Sequence, residues 1–68
     1  MSIESLKHCI QMEEKNLSAL YKEREDKAKQ YCDGLISFDE MRSIEDAIMS
    51  LRDYINGMKT ALMCFLED

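Results

Sequence analysis

The sequence predicts an all-α protein, an antiparallel two-helix hairpin with helices over about residues 3–32 and 38–67. Its composition favours helices throughout, since proline is absent and only two glycines occur among 68 residues. Apolar residues recur at alternating steps of three and four along the second half, the heptad spacing of a coiled-coil stripe. Helix-stop and helix-start signals follow one another closely around residue 35. The whole chain, residues 1–68, is predicted to form a single domain.

The first helix is predicted to begin after Ser2, a residue type that caps helix N-termini, with Glu4 in the first turn. Its apolar residues lie three, four or seven apart over most of its length, so they share one face. Glu13, Arg24 and Lys27 interrupt this stripe. The predicted core residues of this helix are Ile3, Leu6, Ile10, Leu17, Leu20 and Tyr31.

The turn is predicted from local chemistry. Gly34 can adopt the left-handed conformation that ends a helix, after which Leu35 is expected to fold back onto the last turn. Residues 37–40 match the Ser-x-x-Glu capping box, and Ile36 and Met41 occupy the positions of a hydrophobic staple. Two helices of equal length joined by so short a turn form an antiparallel hairpin.

The second helix has the more continuous stripe. Its predicted core residues are Met41, Ile44, Ile48, Leu51, Ile55, Met58 and Leu62. A turn centred near residues 35–36 places Leu17 near Ile55 and Ile10 near Leu62. The same register predicts that Glu13 faces Lys59 and that Lys27 faces Glu45.

The second helix also carries more apolar residues than one neighbour can cover. Ala47, Tyr54 and Ala61 repeat every seven residues on one flank, and further apolar residues lie elsewhere. We therefore expect either two hairpins dimerising into a four-helix bundle or one hairpin docking on the helices of a partner. A homodimer is the default for the isolated chain. The predicted partner-binding residues are Met49, Tyr54, Met63, Phe65 and Leu66, with the two aromatic residues as anchors.

Charge and cysteine content narrow the class of partner and the compartment. The net charge is −5 without a basic cluster, so nucleic-acid binding is not expected. No apolar run approaches the roughly 20 residues of a membrane span, and no secretory leader is visible, so no membrane association is expected. Three cysteines without a C-x-x-C spacing predict small hydrophobic side chains rather than a disulfide framework. Together these features predict a cytoplasmic protein.

No enzymatic constellation is visible, and no cofactor is expected. His8 and Cys9 are adjacent, and a hairpin brings Cys64 to the same end, which raises a metal-site alternative. These three residues lack a fourth ligand, and Cys64 points away from the stripe, so a tetrahedral zinc site is not favoured. Adjacent helical positions also point about 100° apart, which does not suit a Cys–His nucleophile pair.

The predicted function is that of a small non-enzymatic protein-interaction module. It would bind and mask a helical or apolar surface of a larger protein, as an inhibitor, adaptor or small chaperone. The alternative is a structural, self-assembling coiled-coil or four-helix-bundle protein. In length and two-helix layout the chain resembles the small co-chaperones that hold type III secretion needle subunits, and some phage-encoded inhibitors. That resemblance covers architecture and composition, and it implies a masking role without assigning roles to residues.

Overall fold

The computed structural model describes residues 2–67 and confirms the all-α hairpin. Helix α1 spans Ile3–Cys32 and helix α2 spans Phe38–Glu67, thirty residues each. The pair forms a rod of 52 × 15 × 14 Å, one helix length long and about two helices across. In this part of the chain, neither helix is long and apolar enough to cross a membrane.

Helix α1 begins and ends with the predicted cap chemistry. The Ser2 hydroxyl oxygen accepts a hydrogen bond from the Ser5 backbone N–H at 3.1 Å. At the other end, Gly34 has a φ of +77°, and its N–H donates to the Tyr31 carbonyl. The Leu35 N–H donates to the Gln30 carbonyl at 2.8 Å, which completes the Schellman pattern.

The prediction that Leu35 folds back onto α1 is wrong, because its side chain is 73% exposed. The backbone bond of the Schellman pattern forms, but the apolar contact that often accompanies it does not. The last turn of α1 offers Gln30 and Lys29 at the positions Leu35 would cover, and neither provides an apolar surface.

Replacing Gly34 with alanine is expected to destabilise the hairpin by about 1–2 kcal/mol. A Cβ at Gly34 meets no neighbouring atom, so the cost comes from the left-handed backbone alone. Urea unfolding followed by circular dichroism measures the change. Gly34→Asn is the control, since asparagine tolerates this conformation better than alanine, and equal losses for the two variants would contradict the backbone explanation.

Helix α2 begins at the predicted cap. The Ser37 hydroxyl oxygen accepts a hydrogen bond from the Glu40 backbone N–H at 3.2 Å, and the Ser37 carbonyl accepts from Met41. Ile36 and Met41, the predicted staple residues, are both half-buried. Capping by side chains within four residues explains why both ends of the turn could be located from sequence.

The buried residues that pack on one another across the two helices lie towards the chain ends rather than the turn. Leu6 and Ile10 of α1 pack with Ile55 and Met58 of α2, and around them lie the partly buried side chains of Cys9, Leu17, Leu51 and Leu62. Nearer the turn, α2 buries Ile44 and Ile48. This asymmetry follows from the sequence of α1, whose second half carries Arg24 and Lys27 at stripe positions.

Most predicted core residues are buried or half-buried, and one is not. The half-buried group comprises Ile3, Leu17, Leu20, Met41, Leu51 and Leu62. Tyr31 is 43% exposed, so its assignment to the core is wrong. It lies in the last turn of α1, where its ring packs edge-on against Phe38 across the turn, with centroids 6.2 Å apart.

Candidate interaction surface

The two edges of the interhelix seam differ in chemistry. On one edge, which we call the ion-pair side, Arg24 Nη1 lies 3.6 Å from Glu45 Oε2 and Lys59 Nζ lies 3.4 Å from Glu14 Oε2. The Arg24 guanidinium also lies over the Tyr21 ring, 5.0 Å from its centroid. Charged side chains therefore bridge both halves of this edge.

These ion pairs correct the predicted ones. Lys59 pairs with Glu14 rather than Glu13, and Glu45 pairs with Arg24 rather than Lys27. Successive residues of a helix point about 100° apart, so Glu13 lies nearer the seam than Glu14 does. There its Oε1 accepts a hydrogen bond from the Asn16 amide at 2.9 Å.

The opposite edge, the groove side, has no interhelix ion pair among residues 2–67. Near the turn it forms a shallow groove of about 430 Å³, open to solvent. Its lining residues are Leu20, Glu23 and Lys27 of α1 and Glu40, Ser43, Ile44 and Ala47 of α2. The groove exists because Leu20 is the last large apolar side chain on this edge of α1, while two of the α2 residues that line it, Ser43 and Ala47, are small.

A continuous uncharged stripe of α2 extends the groove side towards the chain end. Its members follow Ser43 and Ala47 at steps of three and four, so they share that face. The groove-side stripe comprises Ser43, Ala47, Ser50, Tyr54, Gly57, Ala61 and Phe65. Tyr54 and Phe65 are its two large side chains, 58% and 52% exposed. In a chain that is 34% charged, seven consecutive stripe positions without charge resemble the core of a protein interface.

The five predicted partner-binding residues are all exposed, but they do not form one surface. Tyr54 and Phe65 lie on the groove-side stripe. Met49 and Met63 follow the ion-pair residues Glu45 and Lys59 by four positions, and Leu66 follows Lys59 by seven, so these three lie towards the ion-pair side. The chain matches no protein-family model, no curated protein and no solved structure. What this surface binds is therefore inferred from its own side chains.

Gly57 is the least expected member of the groove-side stripe, because glycine in a helix interior costs about 1 kcal/mol relative to alanine. A Cβ built on Gly57 meets no atom within 4 Å. We therefore expect Gly57→Ala to raise the free energy of unfolding by about 0.5–1 kcal/mol, measured by urea unfolding. Destabilisation would contradict this prediction and would show that α2 is not a regular helix at Gly57 in solution.

A second exposed apolar group lies at the turn and was not predicted. It comprises Tyr31, Leu35 and Phe38, all exposed. Two aromatic residues that flank a glycine-containing turn are the signal that could have identified it. This turn cluster has three residues, against seven in the groove-side stripe. Two of the three, Tyr31 and Phe38, already pack against each other, so less of their apolar surface is left for a partner.

The cysteines and His8 do not converge on a common point. Cys9 is half-buried against the core, whereas Cys32 and Cys64 are exposed, and all three are free thiols. Within residues 2–67, no three His, Cys, Asp or Glu side chains are grouped so as to hold a metal ion.

Proposed function

We propose that this chain is a small, non-enzymatic interaction module that binds a helix of a larger protein along its groove side. The observation that supports the proposal is the contrast between the two edges of the seam. One edge is bridged by ion pairs, and the other presents a groove continued by an uncharged stripe with two exposed aromatic residues. Exposed aromatic side chains surrounded by uncharged residues are typical of interface hot spots.

A helix suits the shape of this surface. The stripe from Ser43 to Phe65 is straight and about 33 Å long at 1.5 Å per residue, which matches six turns of a partner helix. The small side chains at Ala47, Gly57 and Ala61 allow close approach, and Tyr54 stands between them as a knob. The resulting complex is a three-helix arrangement of the helix-in-groove type.

Binding of this kind would mask the apolar face of the partner helix. The consequence is steric or stabilising, as for an inhibitor, an adaptor or a small chaperone. A cytoplasmic location belongs to the same proposal, because three free thiols suit a reducing compartment. The partner is a protein rather than a nucleic acid, since the groove lining contains one basic residue, Lys27, and two acidic ones, Glu23 and Glu40.

The second candidate is a structural bundle formed by two copies of the hairpin. The same small residues favour it, since two stripes of alanine, serine and glycine can approach each other closely. Burial of the stripe in a homodimer would also support a domain too small to be strongly stable alone. The two candidates differ only in what covers the groove side, so one experiment distinguishes them.

The experiment places a photo-activatable cross-linking residue at one position of the full chain expressed in its own cells. Phe65→Bpa, with benzoylphenylalanine in place of a phenyl ring already on the groove-side stripe, reports the groove side, and Met63→Bpa reports the ion-pair side two residues earlier. The proposed function predicts a defined adduct with a different protein from position 65 and a several-fold weaker one from position 63. Mass spectrometry identifies what is attached.

Each other result would lead to a different conclusion. Adducts of the chain with itself from position 65 would support the structural bundle. A dominant adduct from Met63 would place the partner on the ion-pair side. If neither position yields an adduct in cells that express the folded protein, the interaction module itself is wrong.

A further inference from the structure

Helix α1 has an uncharged stripe of its own on the groove side. Glu23 lines the groove, and steps of four and three residues from it towards the N-terminus stay on the same face. These positions, which we call the α1 stripe, are Ala19, Asn16, Met12, Cys9 and Ser5. All of them are exposed except Cys9, which is half-buried, and none carries a charge. Over the half of the rod nearest the chain ends, both helices therefore present uncharged faces on the groove side.

The α1 stripe and the groove-side stripe of α2 are complementary in size. The ion pair of Glu14 with Lys59 shows which residues of the two helices lie at the same level. Counted from that pair, the levels are Met12 with Ala61, Asn16 with Gly57, and Ala19 with Tyr54. At each level one stripe has the larger side chain and the other has alanine or glycine. Within one hairpin these side chains face outwards side by side, so their match in size acts only when a second copy supplies the opposite stripe.

A two-fold axis along the rod brings the two stripes together. Rotation about this axis places α1 of one copy on α2 of the other and keeps every residue at its own level. The larger side chain of each layer then meets the alanine or glycine of the other copy, which is the knobs-into-holes packing of a four-helix bundle. It also gives Gly57 a role that the hairpin alone does not, because the Asn16 side chain of the second copy occupies the open space there.

The charges on the outer edges of the rod favour the same arrangement. Opposite the core stripe, α1 carries Lys15, Lys22 and Lys29, and α2 carries Asp39, Asp46 and Asp53, each row repeating every seven residues. All six side chains are exposed, and none forms an ion pair among residues 2–67. When α1 lies on α2, the lysine row of one copy runs beside the aspartate row of the other, as flanking charges. A two-fold axis across the rod instead places α1 on α1 and α2 on α2, so that like charges run side by side.

The surface area of the hairpin matches a second copy as the cover. A compact monomer of 8.0 kDa exposes about 4,450 Å². The hairpin exposes 5163 Å². The excess of about 700 Å² is close to the roughly 800 Å² that each chain buries in an interface of standard size. The ion-pair side does not suit this role, because two copies meeting there would bury its charged pairs.

We infer that two copies of the isolated chain pair through their groove sides, with α1 of each copy lying on α2 of the other. The inference rests on the proposed function in one respect, that the groove side is the surface to be covered. The uncharged seam spans only half of the rod and its flanking charges are exposed, so we expect a dissociation constant of about 10–100 µM. Well below that concentration the chain is a single hairpin, the state in which its unfolding is measured. A partner helix that binds more tightly displaces the second copy.

The cysteines of the chain report this arrangement directly. Cys9 of the α1 stripe and Cys64, seven residues after Gly57, lie at the same level and on facing stripes of the two copies. Diamide takes two electrons and two protons from a thiol pair, so it traps Cys9 of one copy bonded to Cys64 of the other. With the purified full chain above its dissociation constant, we expect a disulfide-linked dimer on a non-reducing gel. Mass spectrometry is expected to find the Cys9–Cys64 bond as the dominant one, with Cys32 at the turn mainly reduced.

Serine variants distinguish a bond between copies from a bond within one hairpin. Cys9→Ser and Cys64→Ser each lack one of the two thiols, so neither alone is expected to give the linked dimer. An equimolar mixture of the two is expected to restore it, because each chain supplies the thiol that the other lacks. A Cys9–Cys64 bond within one chain, no linked dimer from the mixture, or dimers linked mainly through Cys32 would each overturn the inference.

A second pair of variants tests the seam without cysteine chemistry. Gly57→Leu overfills the layer opposite Asn16 of the second copy, and sedimentation equilibrium is expected to show a dimer weaker by about tenfold or more. Asn56→Leu, seven residues after Met49 on the ion-pair side, is expected to change the dissociation constant by less than about threefold. Circular dichroism checks that both variants remain helical. Equal effects of the two variants would overturn the inference.

The inference and the proposed function fail separately. A chain that stays monomeric at the highest concentration overturns the inference, and it leaves the proposed function standing if the cross-link at position 65 captures a different protein. A dimer with the Cys9–Cys64 bond, together with only self-adducts at position 65 in cells, supports the inference and replaces the proposed function with the structural bundle.

Discussion

Replacing Ile55 with alanine is expected to lower the free energy of unfolding by about 2–5 kcal/mol. Ile55 is 3% exposed and packs with Leu6, Ile10 and Met58. Truncation removes the contacts of the side chain and leaves a cavity between the two helices. The cavity closes only if the helices move closer together, which their other packed side chains resist. A chain of 68 residues has a total stability of only about 3–10 kcal/mol, so this variant loses a large part of it. Urea unfolding followed by circular dichroism measures the loss.

The control for Ile55→Ala is its neighbour in the chain. Tyr54 is exposed on the groove side, so Tyr54→Ala is expected to change the free energy of unfolding by less than about 0.5 kcal/mol. The two variants lie in the same turn of α2 and differ in which face they alter. If they destabilise the chain to the same extent, the helices do not pack as a hairpin in solution.

The fold could be predicted because its signals are local. Both bounds of α1 and the start of α2 follow from Ser2, Gly34 and Ser37, whose hydroxyls and left-handed backbone act on groups within a few residues. The buried face of α2 follows from a heptad spacing that alternates over its whole length. These features can be recognised in the sequence of each helix alone, without knowing what the hairpin binds.

What the sequence could not provide depends on angular position and on contacts between distant residues. The choice of Glu14 over Glu13 as the partner of Lys59 depends on a rotation of one residue, which a facing-pair register does not resolve. The exposure of Tyr31 and Leu35 could not be predicted from a helical period, because α2 begins only at Phe38 and gives the last turn of α1 and the turn residues little surface to pack against.

The sequence identifies the candidate partner-binding residues as apolar residues outside the predicted core. Only the structure shows that they lie on two different sides of the hairpin. Met63 and Phe65 are two positions apart in sequence, yet they lie on opposite sides of the seam. Which edge is bridged by ion pairs is a property of the pair of helices. That property is what distinguishes Tyr54 from Met49, two exposed side chains that look equivalent in the sequence.

Replacing Tyr54 with alanine is therefore expected to weaken partner binding by about 30-fold or more, equivalent to about 2 kcal/mol. The reason is that Tyr54 is the large side chain in the middle of the groove-side stripe, with Ser50 and Gly57 on either side, so a partner helix must pack around it. The measurement is the dissociation constant for the protein captured by cross-linking at position 65, with the full chain as the titrant.

Met49→Ala provides the matched control, because Met49 is similarly exposed on α2 but lies towards the ion-pair side. It is expected to change the dissociation constant by less than about threefold, as most interface-distant substitutions do. A larger loss from Met49→Ala than from Tyr54→Ala would move the binding surface to the ion-pair side. Ile55→Ala, at the position next to Tyr54, tests the face of α2 that packs in the core. Tyr54→Ala and Met49→Ala test its exposed faces, so the three variants together separate packing from partner recognition on one helix.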